Sequence, residues 1–115
     1  MHTLSRDDLD IVRTVHVART MPERMKGLLG KEALPENHGL LLSPCGSVHT
    51  FFMKFSLDLI FLDGGLKIVR FLRNVRPHRM AFGGLQARSV IEVQAGWLDA
   101  DAVSRGDQMT LKGSA

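Results

Sequence analysis

The chain has 115 residues, enough for one domain with one adequate core and too few for two. A single cysteine excludes an internal disulfide, so nothing asks for an oxidising compartment. The 15 lysines and arginines exceed the 12 acids by only three, a balance too mild to name a partner without asking where the charges sit.

Residues 1–10 are polar and lack the apolar core of a signal peptide, so they read as a loose arm before a domain at 11–111. No apolar run approaches the length of a membrane span; a cytoplasmic protein without a membrane partner is expected. Residues 11–18 alternate imperfectly and predict a strand. Thr20-Met21-Pro22-Glu23 is a capping box, with the Thr20 hydroxyl placed to accept from the third amide and Glu23 placed to reach back. Met21, Met25, Leu28 and Leu29 then share one helical face, and Gly30 suits the cap that ends an amphipathic helix.

A polar loop over 34–38 leads to a short apolar strand at 39–42 and a turn over 43–47. Strands are predicted at 48–53 and 57–62, with a bend between them. Asp63-Gly64-Gly65 is a hairpin signal, and 66–72 returns as a strand. Residues 76–86, with Pro77 and the Gly83-Gly84 pair, read as an irregular loop. A strand at 89–95 ends at Gly96, residues 97–103 allow one or two helical turns, and a last strand covers 108–111 before a tail at 112–115. No repeated βαβ pattern appears. The expected fold is α+β: a compact, mostly antiparallel sheet curled toward a small barrel, with one amphipathic helix packed on it.

The order of motifs resembles the domain of unknown function 192 family. The residues that carry the resemblance are Glu-Arg-Met-Lys-Gly-Leu-Leu-Gly at 23–30, Gly-Leu-Leu-Leu at 39–42 and Pro-Cys at 44–45. Val-His-Thr-Phe-Phe-Met at 48–53, Leu-Asp-Leu-Ile-Phe-Leu-Asp at 57–63, Val-Ile-Glu-Val-Gln-Ala-Gly at 90–96 and Gly-Asp at 106–107 continue it. It spans about residues 14–111. Ser56 stands where the family favours proline. The resemblance implies fold and extent; the family is uncharacterised, so it implies no activity.

Within that frame, residues 49–63 set a histidine and a carboxylate among aromatic and aliphatic neighbours, and buried polar groups need partners. Asp58 shares a strand face with Ile60 and Leu62, and Glu92 with Val90 and Gln94. If their strands adjoin, His49 or Thr50, Asp58 and Glu92 converge. They make either a buried network that fixes register or a polar pocket for a small ligand, with Met53, Gly96 and Trp97 in its wall. The pocket suggests a small non-catalytic binding or accessory domain. A hydrolase using Asp58 or Glu92 as general base with His49 is the alternative. Cys45, His49 and Met53 recur every fourth residue, a helical spacing in a segment that reads as turn and strand. No metal site and no cofactor are expected.

The basic residues give a third reading. No acid interrupts the stretch between Asp63 and Glu92, while Lys67, Arg70, Arg73, Arg76, Arg79 and Arg88 all fall inside it. Such a patch suits an acidic protein or a polyanion. With the phenylalanines in apolar runs and no tyrosine, exposed rings for base stacking are not expected, and neither is specific nucleic-acid recognition.

Overall fold

A computed structural model gives the structure of residues 1–20, 22–24 and 32–113. Nine strands run through them: β1 (His2–Arg6), β2 (Leu9–Ala18), β3 (His38–Leu42), β4 (Ser47–His49), β5 (Leu57–Leu62), β6 (Ile68–Val75), β7 (Met80–Phe82), β8 (Ser89–Gln94) and β9 (Thr110–Gly113). Seven form one sheet in the order β6-β5-β8-β3-β2-β1-β9; β4 and β7 form a separate two-stranded ribbon. The β2–β3 pair is parallel and the other ladders are antiparallel.

The sequence dictates the middle of this sheet. β5 is a nearly continuous apolar run, as a strand covered on both faces should be, and β8 is buried along all but its last residue although Ser89, Glu92 and Gln94 interrupt its apolar positions. Alternation then divides their residues between two cores. Leu40, Leu42, Leu57, Leu59, Phe61 and Val90 enter one; Leu41, Ile60, Leu62, Ile91 and Val93 enter the other. The ribbon covers the first core with Val48 and Ala81. Leu4, Val12 and Val15 fill the second, joined by Leu98, Val103 and Met109 from the segment before β9. Each fully buried side chain of this size contributes about 1.5–3 kcal/mol, so the central strands anchor the domain.

The structure overturns the α+β expectation. It is a β fold, and residues 22–24 are the only helical ones among those described. The helix begins as its capping box predicts: the Glu23 amide donates to Thr20 Oγ1 at 3.3 Å, and that hydroxyl donates to Glu23 Oε1 at 3.1 Å. The expected apolar face of Met21, Met25, Leu28 and Leu29, with Gly30, lies outside the described residues. The sheet is also not a barrel. β6 and β9 stand at its two ends, joined beside their starts by one bridge, Lys67 with Gln108, and by no ladder.

The strands that were missed account for the difference. The expected arm folds as β1 and the start of β2, and Leu4 and Ser5 are fully buried. The expected loop at 76–86 contains β7. The strand expected at 48–53 stops at His49, because Thr50 turns its hydrogen bonds toward the 76–79 loop and Phe52 takes a positive φ of 68°. Residues 97–103 are turns rather than helix.

Candidate functional site

Asp58 and Glu92 do lie on neighbouring strands, but they do not converge. β5 and β8 pair with Asp58 opposite Val93 and Leu59 opposite Glu92. Residues opposite each other share a face and successive residues alternate, so the two carboxylates point to opposite faces of the sheet. The His49, Asp58 and Glu92 pocket is therefore not formed.

Each carboxylate is fully buried and fully engaged. Asp58 Oδ1 accepts the Asn74 amide at 2.7 Å, and Oδ2 accepts the Gly96 amide at 3.1 Å. Asn74 and Gly96 both have positive φ, so Asp58 ties together two left-handed turns, at the ends of β6 and β8. Gly96 and Asp58 border a cleft of about 350 Å³ with Arg73 and Asn74. Glu92 receives a two-pronged bond from Arg24, Nε to Oε1 at 2.9 Å and Nη2 to Oε2 at 2.8 Å, with neither side chain exposed. Arg24 Nη1 is buried without an acceptor. Glu92, locked in this way, has no route to a substrate; Asp58 borders the cleft, but each of its oxygens already accepts a backbone amide and His49 is not beside it to complete the pair that a hydrolase would need.

The remaining candidates disperse. Met53 is buried in the first core. Trp97 packs half-buried against the second, its amide donating to the Gln94 carbonyl at 3.2 Å. His49 stacks on Phe51 with ring centroids 5.2 Å apart, and its Nδ1 is buried without a partner. Burial raises the Cys45 thiol above its ordinary pKa of 9.0, and the Glu92 carboxylate adds to the shift. This is the reverse of what a thiolate nucleophile requires. Among the described residues no three His, Cys, Asp or Glu side chains gather, and no helix is long and apolar enough to cross a membrane.

Thr50 has a different role. Its hydroxyl donates to the Arg76 carbonyl at 2.7 Å and accepts the Arg79 amide at 2.9 Å; its own amide donates to the Arg79 carbonyl at 2.8 Å. These bonds pin the 76–79 loop from beneath. The loop, β6 and β7 enclose a groove of about 360 Å³ lined by Arg70, Arg73, Arg76 and Arg79, together with Met80 and Phe82. No carboxylate lines it. Arg70 Nη1 crosses the groove to the Phe82 carbonyl at 2.9 Å, and Arg73 Nη2 reaches the Leu98 carbonyl at 3.2 Å. Among the described residues none of these four arginines pairs with an acid; the two ion pairs present are Arg6–Asp107 and Arg24–Glu92. Arg88 stands apart, bonded to the Leu85 and Ala87 carbonyls, and Lys67 lies at the bridge between the sheet's ends.

Two features escaped sequence reasoning. Arg24 was not weighed as Glu92's partner, although a buried carboxylate demands a cation. The phenylalanines were placed in apolar runs, yet Phe51, Phe52 and Phe82 are exposed at 39%, 75% and 54%. The positions of Phe51 and Phe52 beyond a strand end were the missing signal.

The fold has known counterparts. A protein of unknown function from Novosphingobium aromaticivorans DSM 12444 superposes with a TM-score of 0.78 at 21% identity, covering 95% of this chain and 82% of that one. A protein from Sinorhizobium meliloti 1021, described as a candidate transcription regulator, gives 0.78 at 22% identity, covering 96% and 91%. At such identities the likeness speaks for the fold alone. No curated protein matches. The profile of one family does match, over residues 3–111, and so takes in every strand but the ends of β1 and β9: the chain belongs to DUF192, an uncharacterised family.

Proposed function

We propose that this protein is a non-catalytic accessory domain that holds an anionic partner in the arginine groove between β6 and β7. One observation carries the reading: four exposed arginines line a single groove with no acid in its lining, and Arg73 turns its guanidinium to the Leu98 carbonyl outside it. Like charges gathered so closely repel, and an arriving anion relieves that repulsion while releasing its own counterions. Arg70, Arg73 and Arg79 are already steadied by backbone carbonyls, and Thr50 holds the loop that carries Arg76 and Arg79. Arginine's planar fork suits carboxylate, sulfate and phosphate alike. A sealed Asp58 and a sealed Glu92 explain why the reading is binding rather than turnover.

Titration with heparin tests it. Binding at low salt should weaken steeply as salt rises, since the Debye length falls to about 8 Å at physiological ionic strength. Reversing Arg76 and Arg79 to glutamate should abolish binding without moving the denaturation midpoint. An affinity indifferent to salt, or untouched by the two reversals, would remove the groove from consideration.

A further inference from the structure

The ribbon has an inverted outer face. In β4 and β7, Ser47 pairs with Phe82, Val48 with Ala81 and His49 with Met80. Val48 and Ala81 point into the first core, so Ser47, His49, Met80 and Phe82 point away from it. A face turned to water should be polar. Here Met80 is 77% exposed and Phe82 54%, and Leu85, three residues past Phe82, is 89% exposed. At the other end Phe51 stacks on His49, and Phe52 follows with its ring 75% exposed. Phe52 has a φ of 68°, a conformation that strains a bulky side chain and that glycine or asparagine would adopt more easily. The chain thus accepts strain to hold an aromatic ring in solvent. Exposed apolar residues clustered along one element mark an interaction surface.

Met80 and Phe82 belong to this stripe and also line the arginine groove, so the apolar and cationic surfaces are contiguous. Lys54 is exposed just past Phe52. We infer that the ribbon docks on an anionic lipid surface, the arginines against the headgroups and Phe52, Met80, Phe82 and Leu85 in the acyl boundary beneath them. The inference rests on the anion-binding reading and names its partner. Charge complementarity selects an anionic bilayer: cations above and apolar side chains at the contact are the two contributions that hold a peripheral protein there. Single-stranded nucleic acid would use the arginines and the phenylalanines, but the most exposed members of the stripe, Leu85 and Met80, have no ring on which a base stacks.

Co-sedimentation with extruded vesicles tests the inference, beside the heparin titration. The full chain should bind vesicles of phosphatidylcholine and phosphatidylglycerol in equal parts and not vesicles of phosphatidylcholine alone. The variant F52S/L85S, altered only at exposed positions outside the arginine groove, should lose vesicle affinity at least tenfold while keeping its affinity for heparin and its denaturation midpoint. The variant R76E/R79E should lose both. Heparin binding without vesicle binding would overturn the lipid surface and leave the groove standing; vesicle binding that ignores R76E/R79E would overturn the groove. Unchanged vesicle affinity in the serine variant would show that the stripe does not insert. Tight binding of oligo(dT) that the serine variant weakens would turn the stripe into a base-stacking platform, and the lipid proposal would fall.

Discussion

Removing the Glu92 carboxylate would leave the Arg24 guanidinium without a counter-charge in a site sealed from water. Breaking such a pair costs about 3–5 kcal/mol, and that is the expected loss for Glu92→Ala in urea denaturation. Replacing both partners is a different matter, because the charges are then never desolvated. With Arg24 Nη1 already lacking an acceptor, R24M/E92L should recover most of the loss. A double variant as unstable as the single one would mean that the pair is held by shape rather than by charge. Both buried carboxylates were legible in the sequence, since an acid amid strand-period apolar residues must be partnered. Their separation was not legible. Parity along a strand says which residues share a face within that strand, and only the register between β5 and β8 relates one strand's faces to the other's. Arg24 was hidden for another reason: it lies 68 residues from Glu92, a pairing that no local pattern records.

Among the elements, the ribbon depends on its closing glycine. A Cβ on Gly83 would lie 2.2 Å from Phe61 Cδ1, 2.5 Å from Cγ and 2.8 Å from the Ala87 Cβ. Phe61 is a rigid ring in the most buried strand and cannot retreat. Gly83→Ala should therefore destabilise the protein by about 1–3 kcal/mol or more through overpacking. At Gly84 nothing lies within 4 Å of an added Cβ, but φ is +103°, so the cost there is backbone strain alone, about 1 kcal/mol. Equal effects at the two positions would contradict this division. The glycine pair was visible in the sequence as punctuation. The strand β7 just before it was not, because three residues are too few to show a period, and Pro77 and the arginines make the stretch look like loop. β1 was missed for a related reason: its polar residues outnumber Leu4, and its place comes from ladders on both sides rather than from its own pattern.

At the scale of the molecule, the long apolar strands and the Asp63 hairpin were readable, and so was the reach of the family motifs. The fold class was not. Counting strands from pattern alone left out β1 and β7, so a β fold looked like α+β. Whether a sheet closes depends on the distant pairing of its end strands, here a single bridge, and amphipathic alternation looks the same in an open sheet as in a closed one.

The position of β1 has a consequence for the order in which the chain can be written. β1 lies between β2 and β9, with Leu4 opposite Val12 on one side and Leu111 on the other. His2 faces Gly113, so the first and last strands are already neighbours, and the turn at Asp7 and Asp8 is exposed, with Asp7 at a φ of 53°. Space does not record which strand is synthesised first. A circular permutant that begins at Asp8 and carries residues 1–7 after β9 through a short glycine linker should fold to the same structure, with β1 now the return strand of a hairpin. Its thermal midpoint should lie within a few degrees of the parent's, about what 1 kcal/mol shifts in a domain of this size. A permutant that fails to fold would show that β1 must be in place before β9 arrives, making the N-terminal strand a template for the C-terminal one.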